Sequence, residues 1–287
     1  MSSARIALTV SLALVAQTGC LSAPTGEEDV GAAQSAEESD NALSLNALSL
    51  NALSLNALSL NALSLNALAI SAVGASPLDG DALNPTAAAT IEDPSANGDL
   101  ARQLLHYAVG CALNPSQSFT FSYTDATGTL QTVTDQGMLG LYPQWATQPL
   151  TDVGKQQDIS ACLAARTNYF GVVVHISVRG SQEVLQETTS PSELAAYPYV
   201  EGAFWGNLFT PTPSLYSCYD GANAAHSDAD MRVCATGYTE PNGQVVPCGM
   251  ITLTGSCWEQ CDWFDQEGQL YRDCGDSRSH SITIGLQ

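Results

Sequence analysis

Positive charge is scarce in this chain. Lys and Arg together number eight among 287 residues, against 29 Asp and Glu, and Lys155 is the single lysine. Nucleic-acid affinity is supplied mainly by Lys and Arg facing phosphates, so a formal charge of −21 excludes that class of partner. It also disfavours docking on an anionic membrane surface. Catalytic signatures are missing as well. The chain has no Gly-x-Ser-x-Gly elbow and no His-Glu-x-x-His pair, and Asp152 rather than serine precedes Lys155 by three. No cysteines show the close C-x2-C spacing of zinc sites; the late spacing is C-x13-C-x8-C-x3-C-x12-C. No apolar run reaches the roughly 20 residues of a membrane-spanning helix.

What the N-terminus does have is shorter. In MSSARIALTVSLALVAQTGC, Arg5 precedes an apolar run from Ile6 to Ala16, and small or polar residues follow as far as Cys20. That is the layout of an export signal over residues 1–19. Its end resembles the lipobox of bacterial lipoproteins, which are cut before a cysteine that is then lipidated. Thr18, Gly19 and Cys20 match, and Gln17 stands where that family has Leu, Val or Ile. The resemblance implies that Cys20 is lipidated and that the membrane is met through this anchor. Cysteine parity agrees with it. Of nine cysteines, setting Cys20 aside leaves Cys111, Cys162, Cys218, Cys234, Cys248, Cys257, Cys261 and Cys274, an even set for disulfides in an oxidising compartment.

The composition divides the remainder. Residues 20–40 are small, polar and acidic, a disordered linker by composition. Residues 41–70 hold the NALSL pentads. A period of five advances about 500° per copy on a helix and is odd on a strand, so neither element acquires a single apolar face. The run resembles pentapeptide-repeat coils, with Asn displaced from that family's order and only six copies present. A spacer is the first expectation, local β-stacking the second. Residues 71–96 continue in Pro, Ala, Ser and Asp as a second linker. All seven bases after Arg5 follow residue 96, which places the start of a globular domain at 97–287. About 75 residues of flexible tether would then span roughly 45–50 Å.

Within 97–287, NGDLARQLLHYAVGCAL puts Leu100, Leu104, Ala108 and Cys111 on one helical stripe. GKQQDISACLAARTNYF puts Ile159, Cys162 and Leu163 on another. A Cys111–Cys162 bridge follows if the two helices pack; the other six cysteines leave fifteen connectivities open. SFTFSYTDATGTLQTVT reads as a hairpin, and VVVHISVRG as the strongest strand, followed by short strands alternating with turns. The expected fold is α+β to mainly β. It is a single disulfide-rich C-terminal domain with two early helices and several short antiparallel strands, preceded by a long low-complexity tether.

Four histidines bound the catalytic options. His106 reads as a boundary residue beside the apolar stripe, and His280 simply leads into the last strand. Strand alternation groups His175, Ser177 and Arg179 on one face; the first reading is the wetter face of a half-buried strand, and the alternative is a row that could bind an anion or polarise a carbonyl. His226, Asp228 and Asp230 alternate in DGANAAHSDADMR, an imidazole and carboxylate set suited to a divalent metal, with Ca²⁺ the one cofactor considered and none required. CDWFDQEGQLYRDC fails as an EF-hand, since Trp263 would occupy the first ligand position, and reads as a hairpin turning at Gln266 to Gly268. Trp145, Trp205, Trp258 and Trp263 supply aromatic surface; EGAFWGNLF with CWEQCDWF could furnish a platform for stacking sugars, and burial against disulfides is the commoner fate of such residues.

The layout as a whole resembles the repeat-bearing, cysteine-rich lipoproteins of gliding soil bacteria. That resemblance implies export and, with Leu21 rather than Asp after Cys20, an outer-membrane or cell-surface destination. The expected function is display of a non-catalytic binding or structural domain on a lipid-anchored tether, directed at an envelope or extracellular ligand. The alternatives are a secreted hydrolase acting on cell-wall or glycan material and a Ca²⁺-dependent adhesive module.

Overall fold

The structure, a computed structural model, describes residues 42–43, 48–49, 70–169, 174–229 and 232–287. The signal segment, Cys20 with the acidic stretch after it, most of the pentads, and Asp230 lie outside the described residues. From the pentads, β1 (Ala42–Leu43) and β2 (Leu48–Ser49) are described.

Segment 71–96, expected as a linker, belongs to the folded domain. A helical turn at 70–74 and helix α1 (Pro85–Ile91) bring Ile70, Val73, Leu78, Ala87 and Ile91 into the main core. Asn84 caps α1 by accepting the Ala87 N–H, and Pro85 takes the first helical position, where a missing N–H costs nothing. Buried Trp145 fixes the segment. Its indole N–H donates to the Ser76 carbonyl at 3.0 Å, and its own carbonyl accepts the Leu78 N–H at 2.7 Å. The polar average of the segment concealed widely spaced apolar anchors. The domain therefore begins no later than residue 70.

Helix α2 (Ala96–Ala112), capped by Ser95, buries Leu104, Leu105, Ala108, Val109 and Cys111. Helix α3 (Val153–Arg166), capped by Asp152, buries Ile159, Cys162 and Leu163. Their apolar stripes face each other, so Cys111 and Cys162 form a disulfide with Cα atoms 6.1 Å apart. The hairpin of β3 (Ser118–Thr124) and β4 (Leu130–Gln136) turns where expected, with Asp125 accepting the amides of Thr127 and Thr129. Its Phe119 and Phe121 are buried.

The central sheet has the order β1-β6-β14-β7-β8-β11. It comprises β6 (Ile176–Gly180), β14 (Ile282–Leu286), β7 (Tyr199–Asn207), β8 (Ser214–Tyr219) and β11 (Ile251–Ser256) beside β1. Its pairings are antiparallel except β8 with β11. Short β5 (Thr167–Asn168) pairs with β2, and β9 (Tyr238–Thr239) with β10 (Val245–Val246). Strand β7 is the longest and the least visible in sequence, because Gly202 and Gly206 interrupt its apolar pattern. Those glycines answer to packing. A Cβ on Gly202 would lie 2.1 Å from the Cys218 carbonyl oxygen, and Gly206 has φ 133° against Ser214.

Helix α3 packs across β7 and β14, which closes the main core. Helices α4 (Glu183–Thr188) and α5 (Pro191–Ala196) follow β6, and α6 (Ala224–Ala229) follows β8. A second, smaller core of Val200, Ala203, Trp205, Cys218, Cys257, Tyr271 and Cys274 lies under α7 (Cys257–Gln260) and the hairpin of β12 (Cys261–Asp265) and β13 (Leu270–Cys274). Cys218–Cys257, Cys234–Cys248 and Cys261–Cys274 complete four disulfides, so every described cysteine is paired. Among the described residues, no helix is long and apolar enough to cross a membrane.

Candidate ligand-binding face

The β12–β13 hairpin is short, and alternation assigns its side chains to two faces. The register sets Trp263 opposite Arg272, Phe264 opposite Tyr271 and Asp265 opposite Leu270. Phe264 and Tyr271 therefore turn inward, ring centroids 4.8 Å apart, and Trp258 of α7 packs on both. Trp263, Asp265 and Arg272 occupy the other face. Asp265 shapes the turn by accepting the amides of Glu267 and Gly268 at 3.0 and 3.2 Å.

Arg272 organises this outer face. Its guanidinium donates to Asp265 Oδ2 at 2.6 and 3.1 Å and to Ser181 Oγ at 3.2 Å, and it lies 5.1 Å from the centre of the Trp263 ring. Burial pushes the Asp265 carboxyl up, but the hydrogen bonds and charge of Arg272, with the Gly268 and Glu267 amides, outweigh it and hold the group below the ordinary carboxylate range. Trp263 itself is 50% exposed. A guanidinium over one aromatic face fixes the ring at little entropic cost and leaves its remaining surface open.

Beside Arg272 lies a cavity of roughly 350 Å³, between the hairpin and helices α4 and α5. Leu185 and Leu270 form its apolar wall, while Gln186, Thr189, Asp265 and Arg272 give it donors and acceptors. Another cavity, of roughly 440 Å³, is lined by Asp79, Asp81 and Glu92 without a base, and no aromatic ring is exposed there.

The row Ser177 and Arg179 lies beneath the first cavity rather than in it. Both are fully buried, because β6 is covered on both faces. Ser177 Oγ donates to Glu193 of α5 at 2.6 Å, and Arg179 Nε donates to Ser177 Oγ at 2.9 Å. Arg179 also reaches Gln269 in the hairpin turn at 3.2 Å. Burial pushes its guanidinium down to about 10, against the pull of Glu193, so it stays charged at neutral pH. The pair ties α5 to the hairpin and builds the floor of the site. His175 precedes β6 and is exposed, whereas Ser177 and Arg179 are buried.

His226 and Asp228 sit on α6, where a spacing of two points side chains in different directions. His226 stacks on Tyr199 with centroids 3.5 Å apart, and Asp228 is exposed. Among the described residues, the one cluster with metal-ligand proximity is Cys218, Cys261 and Cys274, and all three are held in disulfides. A disulfide sulfur is not the thiolate that a soft metal requires.

The remaining histidines pair with carboxylates. His106 Nδ1, half-exposed, lies 2.7 Å from buried Asp135. His280 Nδ1 lies 2.8 Å from buried Asp158, which also accepts from Lys155 at 3.1 Å and Gln182 at 2.7 Å. The Asp158 hydrogen bond raises the His280 pKa above the ordinary imidazole value. Trp145 and Trp205 are buried, so only Trp258 and Trp263 present exposed indole. Sequence reading found the hairpin and its tryptophans. The cavity was missed because α4, which supplies Gln186, and α5, which supplies Leu194, are too short to show a helical period. Compared with family models, with characterised proteins and with solved structures, the chain finds no match in any of the three.

Proposed function

We propose that this is an exported, lipid-anchored envelope protein that displays a non-catalytic binding domain, and that the face at Trp263 receives a saccharide. One observation carries the reading. A half-exposed indole, fixed by Arg272, stands next to a sugar-sized cavity that combines an apolar wall with amide, hydroxyl, carboxylate and guanidinium groups. A pyranose ring has the same mixture: C–H faces that stack on indole and hydroxyls that donate and accept. Export is supported by the export-like N-terminus and by the disulfide pairing of all eight described cysteines. A lipidated Cys20 accounts for the ninth.

Titrating the purified chain with soluble peptidoglycan fragments and surface polysaccharides, with tryptophan fluorescence as readout, tests the binding site. Saturable quenching is expected. Trp263→Ala should weaken it at least about tenfold, the scale of losing a central aromatic anchor, while Trp258→Ala retains it. Equal binding by wild type and Trp263→Ala rejects this face, and glycan turnover rejects the non-catalytic reading.

A further inference from the structure

Two of the four disulfides touch. Cys218 Sγ lies 3.8 Å from Cys261 Sγ, although each belongs to a different bridge, and the sulfurs of Cys218, Cys261 and Cys274 all lie within 4.8 Å of one another. Cys257 is bonded to Cys218 and opens α7, four residues before Cys261. One continuous cluster thus contains four half-cystines. Of these, Cys218, Cys257 and Cys274 are fully buried and Cys261 is partly exposed. Cys111–Cys162 and Cys234–Cys248 are buried at both ends.

We infer that this cluster is a thiol–disulfide exchange site, entered by an external thiol at Cys261. Exchange proceeds by attack of a thiolate on a disulfide sulfur, so it needs an accessible first sulfur and a second bridge within reach of the thiolate released. Both are present. An external thiolate bonds to Cys261 Sγ and expels Cys274 as thiolate. Cys274 then attacks Cys218 Sγ, forming Cys218–Cys274 and expelling the Cys257 thiolate. Cys257 attacks the mixed disulfide on Cys261, forming Cys257–Cys261 and returning the external thiolate. The thiol acts as catalyst, no net oxidation or reduction occurs, and the two pairs become two different pairs. Cys257 opens α7 and Cys261 directly follows its last residue, so their sulfurs are separated by a single turn of chain, and closing this bridge requires that short helix to rearrange.

The isomer differs mechanically from the starting form. Cys261–Cys274 clamps the two strands of the hairpin that carries Trp263 and Arg272, and in the isomer β13 is tied to β8 instead. This inference rests on sulfur positions alone and stands or falls independently of the saccharide reading.

The test incubates folded full-length chain with substoichiometric reduced glutathione at mildly alkaline pH. The mixture is then quenched in acid, free thiols are blocked, and disulfide-linked peptides are mapped by mass spectrometry. Cys218–Cys274 and Cys257–Cys261 peptides should accumulate while Cys111–Cys162 and Cys234–Cys248 stay intact. Recovery of the four original pairs alone, with or without glutathione stably attached to Cys261, overturns the inference, as does scrambling that spreads equally to the two control bridges. The double variant Cys261→Ser/Cys274→Ser provides a second check. Its Cys218–Cys257 bridge should resist glutathione, and reaction at the wild-type rate would show that entry is not through Cys261.

Discussion

Around Trp145 the chain buries a continuous apolar core drawn from α1, α2, α3, the first hairpin and the central sheet; around Tyr271 it buries seven residues, three of them half-cystines. The first region has Ile91, Leu105, Phe119, Ile159 and Ile284 in contact with many neighbours, and its one bridge between helices reinforces packing that hydrophobic burial already favours. The second has too little apolar area to hold a hairpin of two five-residue strands alone, and there the disulfides are a large part of the core. The contrast matters for function. The open tryptophans lie in the covalently held region and the cavity at its edge, between the hairpin and α4 and α5, where a surface can keep apolar groups exposed without the scaffold collapsing around them.

Removing covalent support from the second region should have the largest effect. Replacing Cys218, Cys257, Cys261 and Cys274 by alanine deletes bridges that close loops of 39 and 13 residues, worth about 3–4 kcal/mol each through the unfolded chain. Hydrogen exchange should show α7 and the β12–β13 hairpin opening while α2 and α3 stay protected. Loss of protection throughout the domain would mean that the two regions are one cooperative unit.

Trp145→Ala attacks the other region. It leaves a large cavity and an unpaired Ser76 carbonyl, with an expected cost of about 3–5 kcal/mol. Denaturant unfolding should show the loss, and limited proteolysis should cut first within 70–96. Unchanged protease resistance there would show that Trp145 does not hold that segment.

The smallest effect concerns pH. His280 faces Asp158, Lys155 and Asp152 near the start of α3, and its pKa is raised chiefly by the Asp158 hydrogen bond. The folded state therefore binds the proton more tightly than the unfolded state. The stabilisation is fully present below the ordinary imidazole value of about 6.5 and is lost as pH rises through the raised value. Thermal midpoints should fall modestly across that window in wild type, and His280→Gln should flatten this part of the profile. An identical slope in both proteins would remove His280 as its source.

Legibility in the sequence followed the range of the signal. Helices α2 and α3 announce themselves because many apolar residues repeat at helical spacing, and their stripes include the two cysteines that meet. The hairpin at Asp125 to Gly128 has its turn chemistry in four adjacent residues. Strand β7 does not announce itself, since its glycines are selected by the backbone of a neighbouring strand. Nor does the 70–96 segment, whose apolar anchors are too sparse to outweigh a polar average. Ser177 and Arg179 were legible as a pair on one face of β6 but not as buried residues, because burial depends on α5 and the hairpin, which arrive from later in the chain.

By itself, the sequence determined the acidic balance, the even set of domain cysteines, the two main helices and the short hairpins, all of which follow from composition or from residues close along the chain. Only the tertiary structure decided that residues from 70 onward join the core, that Trp258 and Trp263 divide between two faces, and that two disulfides come into contact. Each of these depends on elements far apart in sequence being brought together by burial, and no local pattern encodes that distance.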